Sequence, residues 1–261
     1  MTTTPKTILF IGATGSIGRP AIAEGLRQEY HVRAMVRDMN RAQRSLPAQV
    51  ELVSGDVTRP QSLGAAVDGV DAVVLTVNAD GGGKAASEAV YYDGVRNLLQ
   101  ALGDRRAYIA LMTTIGVTER NGHYNRSNEG HDWKRRAERL VRASGQSYTI
   151  VRPGWFDYNG DTRRTGTPAD GAVSREQIAR VLVDSISIPE ASGKTFELVS
   201  ERGSAQADLT PVFAALDPDR PGNIDGIRDL DNQPLSLEPD RVRAELDAVS
   251  ARTKSREGGL V

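Results

Sequence analysis

The sequence predicts an α/β fold in which a doubly wound parallel sheet carries helices on both faces and continues into a small C-terminal substrate-side lobe. Three observations predict it. Over the first two thirds of the chain, short apolar β-branched runs alternate with longer stretches of helical period, the arrangement of strands joined by crossover helices. A glycine-rich turn, Gly12 to Gly18, stands where the first apolar run hands over to the first helical stretch. The 261 residues correspond, at about 150 residues per domain, to one large domain or a domain with a modest appendage, which is enough chain to bury a core.

The elements follow in order. Strands are expected at residues 7–11, 31–36, 50–54, 72–77, 108–112 and 148–151, with a seventh near 195–199, each a short run rich in Val, Ile and Leu. Helices are expected near 17–28, 61–67, 84–102, 132–143 and 174–187. Ser174 followed by Gln177 fits a capping box at the start of the last of these. Gly145, after Ser144, ends the preceding helix because glycine readily takes the left-handed C′ conformation. From 157 to 172 the texture turns to Gly, Thr, Asp and Arg, a surface loop of the length used by substrate lids. Beyond Ser200 the chain is rich in Pro and Asp and ends in a short helix expected at 239–249, so this segment reads as a lid, a packing arm or a disordered tail. The division expected is residues 1–153 for the dinucleotide-type domain and 154–261 for the smaller lobe, continuous with the sheet.

Composition narrows the function. Lys+Arg 33 against Asp+Glu 34 gives a net charge of -1, so no global positive field invites nucleic acid or an anionic membrane, and a small molecule is the expected partner. With no cysteine, disulfides, thiol nucleophiles and thiolate metal sites are excluded, and three histidines leave little for a metal centre. No apolar run reaches the ~18 residues of a membrane span, and the N-terminal residues lack the apolar core of a leader, so a cytoplasmic chain is expected.

The strongest motif is Gly12-Ala13-Thr14-Gly15-Ser16-Ile17-Gly18-Arg19, which follows Ile8-Leu9-Phe10-Ile11 directly and opens a helix. Gly12 permits the tight turn out of the strand, Gly15 lets backbone N–H groups approach a pyrophosphate, and Gly18 permits close packing of helix on strand. The helix N-terminus adds unpaired N–H groups and the positive end of its dipole. Gly12, Thr14, Gly15, Ser16, Ile17 and Gly18 are therefore the expected phosphate contacts.

The Gly-x-x-Gly-x-x-Gly spacing resembles the short-chain dehydrogenase/reductase superfamily, in particular its atypical, NmrA-like NAD(P)H-binding branch, and a Rossmann-like sheet is what that resemblance implies. The likeness runs from about residue 6 to 200. Besides the loop it rests on Val32-Arg33-Ala34-Met35-Val36-Arg37-Asp38, Gly55-Asp56-Val57, Tyr92-Asp93-Gly94-Val95-Arg96-Asn97-Leu98, Lys134-Arg135-Arg136-Ala137-Glu138 and Ser147-Tyr148-Thr149-Ile150-Val151-Arg152-Pro153-Gly154. The family pattern implies Asp56 and Val57 beside the adenine, and Leu75, Thr76 and Val77 along the adenosine and nicotinamide-side ribose. The second strand ends facing the adenosine ribose, where an acid accepts from a free 2′-OH and an arginine pairs a 2′-phosphate. Arg37, with help from Arg19 and Arg33, argues for NADP(H), while Asp38 is the argument for NAD(H).

The superfamily places a Ser or Thr after the fifth strand and a Tyr four residues before a Lys. Thr113 and Thr114 match the hydroxyl, and Lys134 matches the lysine, which would also hydrogen-bond the nicotinamide ribose. Four residues before Lys134 stands Gly130, so the tyrosine is absent. His131, Tyr124 and His123 are the substitutes within reach as proton donors. Trp155 and Phe156, after Arg152-Pro153-Gly154, offer an apolar wall for substrate. One of Tyr91 and Tyr92 is expected to pack in the core. The turn Asp80-Gly81-Gly82-Gly83-Lys84 is placed to gate the cleft.

These features together imply an NADP(H)-dependent oxidoreductase that delivers hydride to a carbonyl, enone, quinone or flavin. The alternatives are a non-catalytic NADP(H)-binding redox sensor and a nucleotide-sugar epimerase-like enzyme. The latter is disfavoured by the missing tyrosine. The superfamily often dimerises, yet many atypical members are monomers, so a monomer or homodimer is expected.

Overall fold

Alternation along the central strand β1 (Thr7–Ile11) sorts its side chains into two cores, one on each face of the sheet. Ile8 and Phe10 join one core and Leu9 and Ile11 the other, all four closed to solvent. The computed structural model describes residues 7–79, 81–157, 164–166, 172–201 and 203–258. β1 pairs in parallel with β2 (His31–Val36) on one side and, across the chain reversal, with β4 (Ala72–Leu75) on the other. β3 (Glu51–Ser54) lies outside β2, and β5 (Tyr108–Met112) and β6 (Tyr148–Pro153) continue beyond β4. A two-residue parallel pair, β7 (Phe156–Asp157) with β9 (Val173–Ser174), stands apart. β8 (Arg164–Gly166) forms the antiparallel edge against β10 (Lys194–Glu201), which runs parallel to β6. The order β3-β2-β1-β4-β5-β6-β10-β8 is that of a doubly wound Rossmann-like sheet, and β10 carries the second segment of the chain into the same sheet as the first. Its switch point lies between β1 and β4, where the crevice of such sheets opens.

Helices cover both faces. α1 (Gly18–Arg27), α2 (Met39–Ser45), α7 (Arg175–Ser187) and α8 (Thr210–Ala214) bury Ile22, Ala42, Leu182 and Phe213 in the core that holds Phe10. α4 (Gly94–Leu102), α6 (Gly130–Ala143) and α9 (Asp240–Gly258) bury Leu98, Leu140 and Leu246 in the core that holds Leu9. α3 (Gly83–Ser87) and α5 (His123–Asn128) pack on each other. Ser174 caps α7 by accepting from Gln177 N–H, 3.0 Å, as the sequence predicts.

Some elements differ from expectation for identifiable reasons. Residues 61–67 form turns after a 3-10 turn at Pro60–Ser62, not a helix, because Gly64 interrupts the run. Leu63, Ala66 and Val67 are nevertheless buried, which is what the apolar period reported. The strand expected over 72–77 ends at Leu75, where the backbone turns toward the crevice. The helix expected over 84–102 is α3, a π-helical segment Glu88–Asp93, then α4. Tyr91 and Tyr92 are both buried in this segment, where the sequence predicts burial of only one of them. The last helix runs to Gly258, beyond the expected end at 249.

Of the three readings of the residues beyond Ser200, a packing arm is what the structure holds. Residues 217–239 lie against α6 through buried ion pairs. Arg139 meets Asp225 at 2.8 Å and Glu238 at 2.7 Å, Arg136 meets Glu238 at 2.7 Å, and Arg135 donates to Asn232 and to the Leu230 carbonyl at 2.7 Å each. A single arginine buried this way would be costly, and it persists because carboxylates and carbonyls answer its donors.

Candidate dinucleotide and substrate site

The loop between β1 and α1 is closed by its own backbone. Gly15 N–H donates to the Gly12 carbonyl at 2.9 Å, and Gly12 sits at φ +89°. A Cβ on Gly12 would stand 2.7 Å from the Thr76 carbonyl oxygen, and one on Gly18 would stand 2.1 Å from the Gly12 carbonyl oxygen. Both positions therefore require glycine. Ile17 is buried and anchors the loop, while Gly15 and Ser16 are exposed beside the partly exposed Thr14. The α1 N-terminus has no capping side chain and no acidic residue in its first turn, so its electropositive end is left for an anion.

Neighbouring strand ends are fixed around this loop. Thr76 donates to the Ile11 carbonyl through its N–H (2.9 Å) and its hydroxyl (3.3 Å), which ties the end of β4 to the end of β1 beside Leu75 and Val77. Asp56 accepts from the Thr58 N–H and hydroxyl at 2.9 Å each, and the Val57 carbonyl accepts from buried Asn97 at 2.7 Å. At the end of β2, Asp38 caps α2 by accepting from Arg41 N–H at 2.9 Å, whereas Arg37 and Arg19 are exposed. Arg33 is not available to help them: its guanidinium is bound to Glu51 at 2.9 Å and to the Ala66 carbonyl at 3.1 Å, a brace between β2, β3 and the following turns.

The remaining candidate residues gather at the start of α6. Asn125, buried on α5, accepts from the N–H groups of His131 (3.0 Å) and Asp132 (3.1 Å), so a side chain from the preceding helix caps α6. Gly130 fills the place of the superfamily's tyrosine, and a Cβ there would stand 2.9 Å from Asn128 Oδ1, the acceptor of Gly130 N–H. One turn on, the Lys134 ammonium lies over the Tyr91 ring, 4.7 Å from its centre. His131 Nδ1 is buried and has no hydrogen-bond partner among the described residues. Burial first, and the Lys134 charge second, hold the His131 pKa below its usual 6.5, so its imidazole is neutral at neutral pH. Thr113 donates its proton to buried Glu138 at 2.7 Å, so that hydroxyl serves the core, and Thr114 stands partly exposed beside it. Tyr124 belongs to α5, but its side chain lies outside the described residues, and His123 is exposed.

Trp155 is 66% and Phe156 40% exposed, whereas the other large aromatic rings of this half, Tyr91, Tyr92 and Trp133, are buried. The Trp155 backbone is held where its carbonyl accepts from Val173 N–H at 2.7 Å, and the Arg175 guanidinium covers one face of Phe156. Of the expected gate, Asp80 lies outside the described residues. Gly81 and Gly83 adopt positive φ, and Lys84 pairs Glu129 at 2.6 Å, joining α3 to the α5–α6 junction. Of the expected loop 157–172, residues 158–163 and 167–171 lie outside the described residues. Two surface cavities, of about 510 and 390 Å³, contain none of the expected site residues in their walls, so chemistry and not depth marks the site. Three contributors escaped the sequence reading: Asn125, Glu138 as partner of Thr113, and Asn78, which accepts from the Tyr91 hydroxyl at 2.9 Å. Their partners are 6, 25 and 13 residues away, and no local pattern signals such pairings.

A family model described as NAD(P)H-binding matches residues 12–189, from the first glycine of the loop to the end of α7. The chain belongs to this NAD(P)H-binding family. Solved structures share its fold. The chain is 27% identical to a sugar epimerase described from Bacillus subtilis, YhfK, over 80% of this chain and 98% of that one. It is 24% identical to sanguinarine reductase of Eschscholzia californica, over 80% and 96%. Among solved structures, an NAD-dependent epimerase/dehydratase described from Bacillus halodurans superposes with a TM-score of 0.70 at 20% identity, over 81% of this chain and all of that one. A wide-type short-chain dehydrogenase/reductase from Veillonella parvula in complex with NADP superposes with a TM-score of 0.58 at 19% identity, over 74% and 94%. The uncapped α1 and the cradle that a Cβ would fill fit the dinucleotide this NAD(P)H-binding family takes. Among the described residues no helix is long and apolar enough to cross a membrane.

Proposed function

We propose that the chain is an NADP(H)-dependent oxidoreductase of the NmrA-like type, acting on a small organic acceptor that needs little proton help from the protein, such as a flavin, quinone or enone. The observation that carries the proposal is Lys134 without its tyrosine: the lysine's ammonium lies over the Tyr91 ring, while the tyrosine position is a glycine whose missing Cβ is crowded by Asn128. When bound, NADPH supplies a hydride. Gly12 to Gly18 would hold its pyrophosphate, Lys134 its nicotinamide-side ribose, and Arg37 a 2′-phosphate. Asp38, the argument for NAD(H), is engaged as the cap of α2, and this supports the phosphorylated cofactor. Trp155 and Phe156 would orient a flat acceptor on their open faces. His131 is the candidate proton donor, but a neutral imidazole is a weak acid, which again favours acceptors that take hydride without one. Thr113, with its proton committed to Glu138, acts through position only, and Tyr124 remains the second candidate.

The test is NADPH oxidation followed by absorbance, with a panel of quinones, flavins, enones and aldehydes. Turnover with a member of the first three classes, lost in Lys134→Ala, is the expected result. NADPH binding without turnover moves the assignment to the redox-sensor reading, which the absent tyrosine and the committed Thr113 hydroxyl favour. Arg37→Ala is expected to weaken NADPH binding by roughly tenfold while leaving NADH binding unchanged. Equal losses for both, or tighter binding of NADH by the parent chain, remove Arg37 from the 2′-phosphate.

A further inference from the structure

Tyr91 combines features that core packing alone does not require. It lies buried in the π-helical segment Glu88–Asp93, and such segments recur at functional sites. Its hydroxyl is saturated by the turn that follows β4: it accepts from Ala79 N–H at 3.0 Å and donates to Asn78 Oδ1 at 2.9 Å. Its ring carries the Lys134 ammonium at 4.7 Å, a cation–π contact. One side chain thus joins the turn that continues β4 beyond Thr76 to the lysine on α6. A phenylalanine would fill the same volume and seat the same cation, so the hydroxyl is present for the turn.

We propose that Tyr91 is the positioning residue of the nicotinamide-side half of the crevice. Its hydroxyl sets residues 77–79 against the end of β4, and its ring sets the Lys134 ammonium, so that the turn and the lysine present one fixed surface to the cofactor. The proposal rests on the reading of Lys134 given above. A Lys–Tyr pair is retained here, but with the phenol supplied from the helix after β4 and spent on backbone geometry, not on proton transfer.

The experiment measures NADPH dissociation constants by nucleotide fluorescence, together with melting temperatures, for Tyr91→Phe, Asn78→Ala, the double variant, Tyr91→Leu and Lys134→Ala. Tyr91→Phe and Asn78→Ala are each expected to weaken NADPH binding by about three- to tenfold, the worth of one hydrogen bond, and the double variant to lose no more than either alone. Tyr91→Leu, which also removes the seat of the ammonium, is expected to weaken binding further, and in the Lys134→Ala background to cost no more than Tyr91→Phe does. Parent-like binding in Tyr91→Phe, additive losses, or a lower melting temperature with unchanged binding would overturn the proposal. If Lys134→Ala itself binds NADPH like the parent, the reading of Lys134 fails. The coupling between Tyr91 and Asn78 still decides whether the hydroxyl positions the turn. Tyr91→Phe keeps the ring in place, so the question survives if Tyr91→Leu does not fold.

Discussion

At Gly18 a single hydrogen in place of a methyl group lets α1 begin directly above the Gly12 carbonyl. A Cβ there would stand 2.1 Å from that oxygen, a distance no side chain tolerates, and the oxygen belongs to backbone that is itself pinned beside Thr76. Gly18→Ala is therefore expected to destabilise the fold by roughly 2–4 kcal/mol, as overpacking of backbone against backbone does, and to weaken NADPH binding as the loop shifts. Urea denaturation and nucleotide fluorescence measure the two losses separately. Gly15→Ala is the contrast, because its Cβ would meet the Gly12 carbonyl oxygen at 3.0 Å and face solvent otherwise. It should leave the fold nearly intact and act on binding alone. The requirement for glycine was legible in the motif, because the loop's spacing and its place between strand and helix are local properties. The commitment of Thr113 to Glu138 was not, since the acceptor sits 25 residues away on a helix face that reads as uniformly charged.

At the scale of the element, α6 combines two functions. Its first turns carry His131 and Lys134, the latter against the Tyr91 ring, and its remaining turns are bolted to β5, β6 and the C-terminal arm through Glu138, Arg139 and Arg142. Glu138 is the centre of this, fully buried and bound by Arg152 at 2.5 Å, Arg142 at 3.0 Å and the Thr113 hydroxyl at 2.7 Å. Burial alone would raise its pKa, but the charges of Arg152 and Arg142, with the hydrogen bonds, lower it from 4.5 to about 2. A carboxylate whose folded pKa is depressed stabilises the fold in full above its unfolded value and loses that contribution as pH falls through the folded value. Stability should thus decline between pH 4.5 and about 2, by about 3 kcal/mol from this group. Glu138→Gln should flatten that part of the pH profile in chemical denaturation. It should also cost roughly 3–5 kcal/mol at neutral pH, because two buried guanidinium groups each lose one of the two carboxylates that pair them. A profile unchanged by the substitution would mean that the pair is not held as described. The sequence showed α6 as helical and its register through Lys134-Arg135-Arg136-Ala137-Glu138. It could not show that four of its arginines are buried, because a run of charge on a helix ordinarily marks a solvated face, and the partners lie in a segment whose Pro- and Asp-rich texture reads as loop.

For the whole molecule, the C-terminal segment closes the face of the sheet that α4 and α6 would otherwise leave open. Val242 and Leu246 of α9 enter the core that holds Leu9 and Leu140, Arg96 of α4 pairs Glu245 at 2.6 Å, and Thr253 donates to the Ala143 carbonyl at 2.9 Å. Removing residues 240–258 is expected to expose this apolar surface, lower the melting temperature by several degrees, and increase self-association with concentration relative to the full chain. Light scattering over a dilution series distinguishes this from simple loss of stability. A truncated chain that self-associates no more than the full chain and is equally stable would make α9 an ornament of the fold.

Sequence by itself determined the chain order of the strands and most of the crossover helices, though not α2, the two-sided burial of the central strands, the glycine cradle and the absence of the tyrosine. All of these depend on residue spacing within about 30 residues, where periodicity and backbone sterics act directly. The tertiary structure alone decided that Asp38 caps a helix and Arg33 braces the sheet, that Tyr91 and Tyr92 are both inside, that Thr113 serves the core, and that the arm beyond Ser200 packs on α6. Most of these are choices of partner across long stretches of chain, and even the local cap at Asp38 competes with solvent and with a ligand. The same polar side chain satisfies its donors equally well in solvent, in a site or in a core, so only the neighbours that folding brings to it decide among them.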